Sequence, residues 1–227
     1  MRTVTAVAHR GDPYRHRENT LASLRSALRR GADAVEVDVR LTRDGVPVLL
    51  HDGTLKRLWE QDRPLASLSS DEVQGLTAGG VPTLADALMA SDGGRVMIDL
   101  PGEPSVRAVR RVVDVVRQCG ASERVYYCAG AQAMLAVRAA DPSAEIALTW
   151  TSLAPPRPAL LDAVRPRWLN YRFSLVDRDL AARVRRGGHL LSVWTPDTRR
   201  SMRRLLDLGV DSITTNRLDA LHALRGR

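Results

Sequence analysis

Short apolar runs rich in β-branched residues alternate with helical patterns from one end of the chain to the other. In the intervening segments, apolar residues recur three and four positions apart, which is typical of amphipathic helices. Strands that alternate with helices indicate a parallel sheet with helical crossover connections. The predicted strands cover residues 4–9, 34–39, 96–100, 125–128, 146–150, 168–171, 190–194 and 212–215.

The number and spacing of these strands distinguish between two parallel architectures. The last five strands begin at residues 125, 146, 168, 190 and 212, at an almost constant interval. Eight βα units of this kind favour a closed (β/α)8 barrel over an open doubly wound sheet. The glycine motifs of nucleotide-binding sheets are absent from the sequence. We therefore predict an α/β protein with a TIM-barrel fold, formed as a single domain by residues 1–227.

The interval between the second and third predicted strands is the longest, and it contains a hairpin signal. Asp44-Gly45 is a strong signal for a tight turn between antiparallel strands. A turn centred on this pair joins residues whose numbers sum to about 89, which predicts that His51 lies opposite Asp38 and near Glu36.

The rest of this interval, about residues 53–80, predicts a short helical insertion. Ser69 followed by Glu72 has the spacing of a capping box at the start of a helix. Thr83 is placed to cap a second helix, over residues 84–90, that leads back to the barrel. The predicted fold is therefore a TIM barrel with a β-hairpin and a short helical insertion after strand 2.

Composition agrees with one globular domain and excludes several classes of protein. Hydrophobic residues make up 44% and charged residues 26% of the 227 positions, so the chain can bury a core and is not intrinsically disordered. The longest apolar run, residues 46–50, is far too short to span a bilayer. The first eight residues contain no apolar core of a secretory signal, so we expect a cytoplasmic protein without stable membrane anchoring. Cys119 and Cys128 lack the spacing of a metal or redox motif and are expected to be unpaired, buried thiols.

The net charge of +8 comes almost entirely from arginine, since Lys56 is the only lysine. A basic balance is compatible with nucleic acid or with another anionic partner. The arginines, however, are scattered over predicted helices, without a basic tail and without interleaved aromatic residues. We therefore expect a solvated arginine surface and no nucleic-acid partner.

Three carboxylates stand on neighbouring predicted strands. Glu36 and Asp38 lie two positions apart on strand 2 and therefore point to the same face. Two carboxylates directed into a barrel repel each other unless arginines or a cation lie between them, and both alternatives are open. Oxygen ligands favour Mg²⁺ or Ca²⁺ over Zn²⁺, with Mn²⁺ also possible. Asp99, at the end of the next strand, can supply a third oxygen ligand.

His9 and Arg10 end the first strand, where the active sites of TIM barrels lie. The planar guanidinium of Arg10 suits phosphate or carboxylate, and a neighbouring histidine can transfer protons near neutral pH. The predicted hairpin brings His51 to the same carboxylates. Two histidines beside a metal and an arginine suit the acid–base cleavage of a phosphodiester. The remaining histidines occupy positions better suited to surface or structural roles: His16, His189 and His222.

Seven segments occur in the order seen in glycerophosphodiester phosphodiesterases, a family that the sequence resembles over nearly its whole length. The segments are Ala8-His9-Arg10-Gly11, Glu18-Asn19-Thr20, Val35-Glu36-Val37-Asp38-Val39, Leu41-Thr42-Arg43-Asp44-Gly45, Val48-Leu49-Leu50-His51-Asp52, Pro82-Thr83-Leu84 and Val193-Trp194-Thr195. The resemblance implies a TIM-barrel hydrolase that uses a divalent cation. Its implied substrate is a small-molecule glycerophosphodiester, cut into glycerol 3-phosphate and an alcohol.

The resemblance also implies a role for each candidate residue. It implies acid–base catalysis by His9 and His51, a phosphate contact by Arg10, metal ligation by Glu36, Asp38 and Asp99, and a place in the substrate pocket for Trp194. Three positions depart from the family pattern. Asp99 and Pro101 replace the Glu and Lys that the family usually has, which shortens one ligand and removes a cation that an arginine can replace. Asn216 stands where the family commonly has Asp.

Three other functions remain open at the level of sequence. The same machinery can cleave lysophospholipids in the manner of a phospholipase D, although an aromatic content of only 4% weighs against this substrate class. The changes at Pro101 and Asn216 leave open a non-catalytic phosphate-binding barrel. A nucleic-acid-binding function depends on net charge alone and predicts strongly salt-dependent binding.

Overall fold

Eight parallel strands close into a barrel in the computed structural model, which describes residues 4–91 and 93–225. The strands are β1 (Thr5–Ala8), β2 (Ala34–Leu41), β3 (Pro47–Leu49), β4 (Arg95–Asp99), β5 (Val125–Ala129), β6 (Glu145–Trp150), β7 (Trp168–Arg172), β8 (Leu190–Trp194) and β9 (Ser212–Thr215). Strand β1 pairs in parallel with both β2 and β9, which closes the ring, and β3 lies antiparallel to β2. The predicted barrel strands and the (β/α)8 fold class are confirmed.

Helices connect the barrel strands and cover them on the outside. They are α1 (Leu21–Arg29), α2 (Lys56–Trp59), α3 (Ser70–Thr77), α4 (Leu84–Ala90), α5 (Val106–Gln118), α6 (Ala131–Ala140), α7 (Pro158–Val164), α8 (Arg178–Arg186), α9 (Arg199–Asp207) and α10 (Leu218–Arg225). Within the described ranges, no helix has both the length and the apolar character needed to cross a bilayer. Residues 1–3, part of the chain start considered above, lie outside the described residues.

Side-chain caps begin several helices, and those of α3 and α4 lie where the sequence predicts them. Thr20 caps α1 by accepting a hydrogen bond from its first turn. Ser69 and Glu72 form the predicted capping box of α3, and Thr83 and Asp86 form another at the start of α4. Such caps satisfy backbone N–H groups that have no partner inside the helix, and each stabilises its helix by about 1 kcal/mol.

The β2–β3 hairpin is confirmed, but the predicted pairing of its residues is wrong by one position. The Thr42 N–H donates to the Val46 carbonyl at 3.1 Å, so the loop between these residues has three positions. The last of them is a glycine with a φ of +80°, the geometry of a hairpin turn with a glycine bulge. This longer loop places Leu50, not His51, opposite Asp38, and the Leu50 N–H donates to the Asp38 carbonyl at 3.0 Å.

The helical insertion packs beside the hairpin through an apolar cluster of its own. This cluster is formed by Val48, Leu50, Leu55, Leu65, Leu68, Val73 and Val81, all almost completely buried. Because it includes residues of β3 and of the chain just after β3, the insertion holds the end of the hairpin in place. His51 follows directly and is therefore positioned at the rim of the barrel.

The barrel interior is filled by alternate residues of the strands. An apolar cluster of these residues consists of Val7, Ala34, Met97, Tyr126, Cys128, Ala147 and Trp168, with Leu190 packed against them. Because side chains two positions apart share a face, Glu36 and Asp38 lie on the same inward face as Ala34. Both cysteines are unpaired as predicted, but only Cys128 is buried; Cys119, at the end of α5, is half-buried.

Candidate active site

Three carboxylates converge inside the barrel at the carboxyl-terminal ends of two adjacent strands. Glu36 and Asp38 lie on β2, and Asp38 pairs in register with Asp99 on β4. One oxygen atom from each of the three side chains lies within 4.8 Å of the other two. Glu36 and Asp38 are nearly fully buried, with exposures of 3% and 2%. Asp99 is half-buried. This set of oxygen donors matches the ligands that Mg²⁺, Ca²⁺ and Mn²⁺ prefer.

Burial and crowding change the acidity of this carboxylate cluster. Burial, together with the charges of Asp38 and Asp99, raises the pKa of Glu36 well above its ordinary value. Burial and the charge of Asp38 raise the pKa of Asp99 to about 7. Both shifts show that three negative charges at this place are unfavourable by themselves. A bound cation would remove this penalty, so the residues present fit a divalent metal.

Arg10 lies in the loop after β1 and reaches the cluster with both its backbone and its side chain. Its N–H donates to Glu36 Oε2 at 2.8 Å. Its guanidinium Nε lies 3.0 Å from Asp38 Oδ2, and its Nη1 donates to Glu18 Oε1 at 2.8 Å. One guanidinium therefore offsets part of the negative charge of the cluster while its side chain stays 16% exposed.

Asn19 is a further residue of the site, and the sequence alone did not indicate that it contacts the carboxylates. Its Nδ2 donates to Asp38 Oδ2 at 2.8 Å, and its Oδ1 accepts from the Asp38 N–H at 3.2 Å. The two hydrogen bonds orient the Asp38 carboxylate towards the cluster. The available signal was its place in the Glu18-Asn19-Thr20 segment, and its positive φ of 56° is a conformation that asparagine tolerates.

His9 contacts Asn216, which follows the last barrel strand and is itself hydrogen-bonded to Asp197 after β8. Its Nδ1 lies 2.8 Å from Asn216 Oδ1. Asn216 donates from Nδ2 to Asp197 Oδ2 at 2.7 Å and from its backbone N–H to Asp197 Oδ1 at 2.9 Å. Burial and the positive charge of Arg10 lower the pKa of His9, against the opposing influence of Asn216 and of nearby carboxylates. The ring is thereby held in a defined orientation and biased towards its neutral form.

His51 is held by the residue that follows it. Its Nδ1 lies 2.7 Å from Asp52 Oδ1, and Arg57 Nε donates to Asp52 Oδ2 at 2.6 Å. Hydrogen bonds from Arg57 and His51 lower the pKa of Asp52 to about 2, despite partial burial. Arg57 Nη2 also donates to Glu18 Oε1 at 2.7 Å, the same oxygen that accepts from Arg10. Continuous polar contacts therefore connect His51 to the carboxylate cluster.

Trp194 lies on the same rim, at the end of β8. It is half-buried and pairs in register with Arg172 of β7 and Thr214 of β9. Its indole Nε1–H is buried and has no hydrogen-bond acceptor among the residues that the structure describes.

Arg40 is a second cation near the cluster, and no sequence motif pointed to it. Its Nε donates to the His51 carbonyl at 2.7 Å. With Pro101 it lines a pocket of about 190 Å³ between the hairpin and the segment after β4. Arg40 also helps to lower the pKa of Asp99, against the larger effect of burial. An arginine is therefore present near the position where Pro101 replaces the usual lysine.

The three other histidines lie outside this cluster. His189 Nδ1 lies 2.9 Å from the carbonyl oxygen of Pro166, and His189 directly precedes β8, at the opposite end of that strand from Trp194. His16 is exposed in the loop before α1. His222 on α10 lies beside Gly31. These positions agree with the surface and structural roles expected for them.

Part of the arginine surface gathers along one groove on the outside of the barrel. The groove encloses about 660 Å³ and is lined by Arg178, Arg199, Arg200, Arg203, Arg204, Asp207 and Leu208. Arg204 donates to the carbonyls of Val176 and Phe173 at 2.6 and 2.8 Å and so ties α9 to the loop after β7. The five arginines are exposed and form a solvated basic surface separate from the carboxylate cluster.

Comparisons with known proteins agree with this geometry. The family model for the glycerophosphoryl diester phosphodiesterase family matches residues 9–220. A probable glycerophosphodiester phosphodiesterase 2 from Mycobacterium tuberculosis is 31% identical over 251 residues, covering 95% of this chain and 88% of that protein. A glycerophosphodiester phosphodiesterase from Caldanaerobacter subterraneus is 26% identical over 92% of this chain and 93% of its own length.

A solved structure shares the whole fold. It is that of an Oleispira antarctica phosphodiesterase in complex with the product sn-glycerol-3-phosphate, with a TM-score of 0.89 at 21% identity. The match covers 98% of this chain and 97% of that one. Because the family model matches nearly the whole barrel, the chain belongs to the glycerophosphoryl diester phosphodiesterase family.

Proposed function

We propose that this protein hydrolyses glycerophosphodiesters to sn-glycerol 3-phosphate and an alcohol with the aid of a divalent cation. The observation that carries the proposal is the convergence of two buried carboxylates and one half-buried carboxylate with Arg10 at the carboxyl-terminal end of the barrel. Active sites of TIM barrels lie at this end. The Oleispira relative, which holds sn-glycerol-3-phosphate as its product, supports the same product for this chain.

Glu36, Asp38 and Asp99 would hold the cation, since each contributes one oxygen to the same small volume. When bound, the cation supplies charge stabilisation for a phosphate oxygen and lowers the pKa of a neighbouring hydroxyl. Mg²⁺, Ca²⁺ and Mn²⁺ share this preference for oxygen, and separate additions of each distinguish them.

Arg10 would bind the non-bridging oxygens of the phosphate. A guanidinium has five N–H donors. Its Nη1 is used by Glu18, and its Nε contacts Asp38 as an ion pair without an aligned hydrogen bond. Donors of Arg10 therefore remain for phosphate while the ion pair holds the side chain in place. Positive charge fixed there stabilises the negative charge that develops on phosphorus-bound oxygens.

His9 and His51 would move the two protons that the cleavage requires. One proton must leave the substrate hydroxyl that attacks phosphorus, and one must reach the oxygen of the departing alcohol as its bond to phosphorus breaks. Water then opens the resulting cyclic phosphate to glycerol 3-phosphate. Each ring is held through its Nδ1, by Asn216 and Asp52 respectively, which leaves Nε2 for proton transfer. Trp194 would line the substrate pocket, with its unpartnered indole N–H available to a substrate oxygen.

The test measures release of glycerol 3-phosphate from glycerophosphocholine by the wild type and by His9→Ala and His51→Ala. We expect each variant to lose at least about 100-fold in kcat, because each lacks one proton-transfer group. Circular dichroism must show that both variants are folded. Full activity in both folded variants would refute the two-histidine mechanism. Faster cleavage of the acylated lysophospholipid than of glycerophosphocholine would instead favour the lysophospholipid alternative.

A further inference from the structure

The hydrogen bonds around His9 determine which of its ring nitrogens carries the proton. The Asp197 carboxylate can only accept, so both of its contacts with Asn216 use Asn216 donors, at 2.7 Å from Nδ2 and 2.9 Å from the backbone N–H. The Asn216 amide is therefore fixed with Oδ1 towards His9. The reversed amide would bring its oxygen against a carboxylate oxygen. Because Oδ1 can only accept, His9 Nδ1 must donate across the 2.8 Å contact, which leaves the lone pair on Nε2.

We propose that Asp197 and Asn216 are positioning residues that hold His9 as its Nδ1–H tautomer and so make Nε2 its proton-accepting nitrogen. The inference rests on the proposed function, in which His9 moves a proton. Asp197 is itself anchored, since its Oδ1 accepts from Thr215 Oγ1 at 2.9 Å. The backbone of Asn216 and the side chain of Thr215 thus hold the carboxylate that orients the amide.

The two candidate catalytic histidines differ in the group that faces Nδ1. His51 faces the Asp52 carboxylate directly, at 2.7 Å, whereas His9 faces a neutral amide and its carboxylate lies one residue further away. A carboxylate in direct contact stabilises a protonated imidazole more than an amide oxygen does. This difference assigns to His9 the proton of the attacking hydroxyl. His51 then donates a proton to the alcohol oxygen as its bond to phosphorus breaks.

The arrangement also explains one of the departures from the family pattern. The family commonly has Asp where this chain has Asn216. A carboxylate is present here after all, as Asp197, one hydrogen bond further from the imidazole. The charges that act on His9 are those of Arg10, Asp38 and Asp197. Moving the carboxylate from position 197 to position 216 therefore changes one of these charges and leaves those of Arg10 and Asp38 in place.

The test exchanges the amide and the carboxylate. In the double variant Asp197→Asn/Asn216→Asp, the hydrogen bonds can be kept while the carboxylate moves into direct contact with His9. We expect the acid limb of the kcat/KM profile to move to higher pH by about 1 unit, because the protonated imidazole is stabilised. Asp197→Asn alone frees the amide to reverse, and we expect kcat/KM to fall about 10-fold, as is common for groups that orient a catalytic residue.

Nitrogen NMR of the histidine rings tests the tautomer without any turnover. In the wild type we expect the neutral His9 ring to show a protonated Nδ1 and an unprotonated Nε2. His189 is an internal reference for this tautomer, because its Nδ1 donates to the Pro166 carbonyl at 2.9 Å, and its signals should be the same in all variants. An unprotonated Nδ1 in wild-type His9, or an unchanged acid limb in the double variant, would overturn the inference. A protein that lacks turnover but shows the Nδ1–H tautomer would refute only the proposed function.

Discussion

Arg10 Nε lies 3.0 Å from Asp38 Oδ2, so the guanidinium proposed to bind phosphate also offsets the charge of one of the carboxylates proposed to bind a metal. Asn19 holds the same carboxylate oxygen from another side, at 2.8 Å. The proposed phosphate contact and the proposed metal site are therefore coupled through Asp38. A change in the side chain at either position is expected to affect both binding events.

Replacement of Arg10 by lysine tests this coupling. Arg10→Lys keeps the charge but loses the planar set of donors that contacts Asp38 and Glu18 together. We expect kcat/KM for glycerophosphocholine to fall by about 100-fold at saturating cation. Arg43→Lys is the matched control, since Arg43 pairs with Glu72 at an exposed site. Equal loss in both variants, or no loss in Arg10→Lys, would argue against a role of Arg10 in phosphate binding.

Asp99 should make the stability of the metal-free protein depend on pH. Its folded pKa of about 7 lies above its ordinary value of 3.8, so the folded state binds the extra proton between these values. The folded state then holds more protons than the unfolded state. The contribution of Asp99 to the free energy of unfolding therefore decreases as pH rises from about 4 to about 7. We expect a smaller decrease in Tm between about pH 4 and about pH 7 for metal-free Asp99→Asn than for the wild type. Identical slopes in the two proteins would contradict the raised pKa.

Gly11 is expected to be intolerant of any side chain. Its φ is +88°, and a Cβ there would contact Ser23 Oγ and lie 2.7 Å from the Ser23 carbonyl carbon. Ser23 Oγ donates to the Arg10 carbonyl at 2.9 Å, so displacement would disturb the loop that positions Arg10. We expect Gly11→Ala to lower the free energy of unfolding by about 3 kcal/mol.

Gly45 provides the matched control for this substitution. Its φ is +80°, but nothing lies within 4 Å of a Cβ at that position. Gly45→Ala therefore lowers the free energy of unfolding only by the cost of holding an alanine at a positive φ, about 1 kcal/mol. Chemical denaturation measures both variants, and an equal loss of stability in the two would show that the contact with Ser23 is unimportant.

Asp52 should act through His51. Its Oδ1 lies 2.7 Å from His51 Nδ1, so Asp52→Asn would replace the carboxylate that orients the His51 ring by a neutral amide. We expect kcat to fall about 10-fold or more, with a smaller change in KM. Asp62→Asn, at the exposed Lys56 ion pair, serves as the control and should leave kcat unchanged. An Asp52→Asn enzyme with wild-type kcat would show that His51 needs no carboxylate.

Much of the fold was predictable because its signals are local. Apolar strands alternate with amphipathic helices, and caps such as Ser69 with Glu72 mark where helices begin. The hairpin register was not predictable from Asp44-Gly45, because the same pair occurs in loops of two and of three residues. The extra loop residue shifts the partner of Asp38 from His51 to Leu50.

In the candidate site too, some contacts were predictable from the sequence and others were not. Glu36 and Asp38 converge with Asp99 because their strands are neighbours, which the strand order predicts. The contact of His9 with Asn216 joins residues 207 positions apart, and only closure of the barrel between β1 and β9 brings them together. No local pattern indicates such a partner.

The central claim is that Glu36, Asp38 and Asp99 hold a divalent cation on which hydrolysis depends. The most direct test incubates metal-stripped protein with glycerophosphocholine and glycerophosphoethanolamine and measures glycerol 3-phosphate before and after adding Mg²⁺, Ca²⁺ or Mn²⁺. We predict release only after a cation is added, and a loss of this response in Asp99→Asn. Release by the metal-stripped wild type, or no release with any of the three cations from folded protein, would contradict the account.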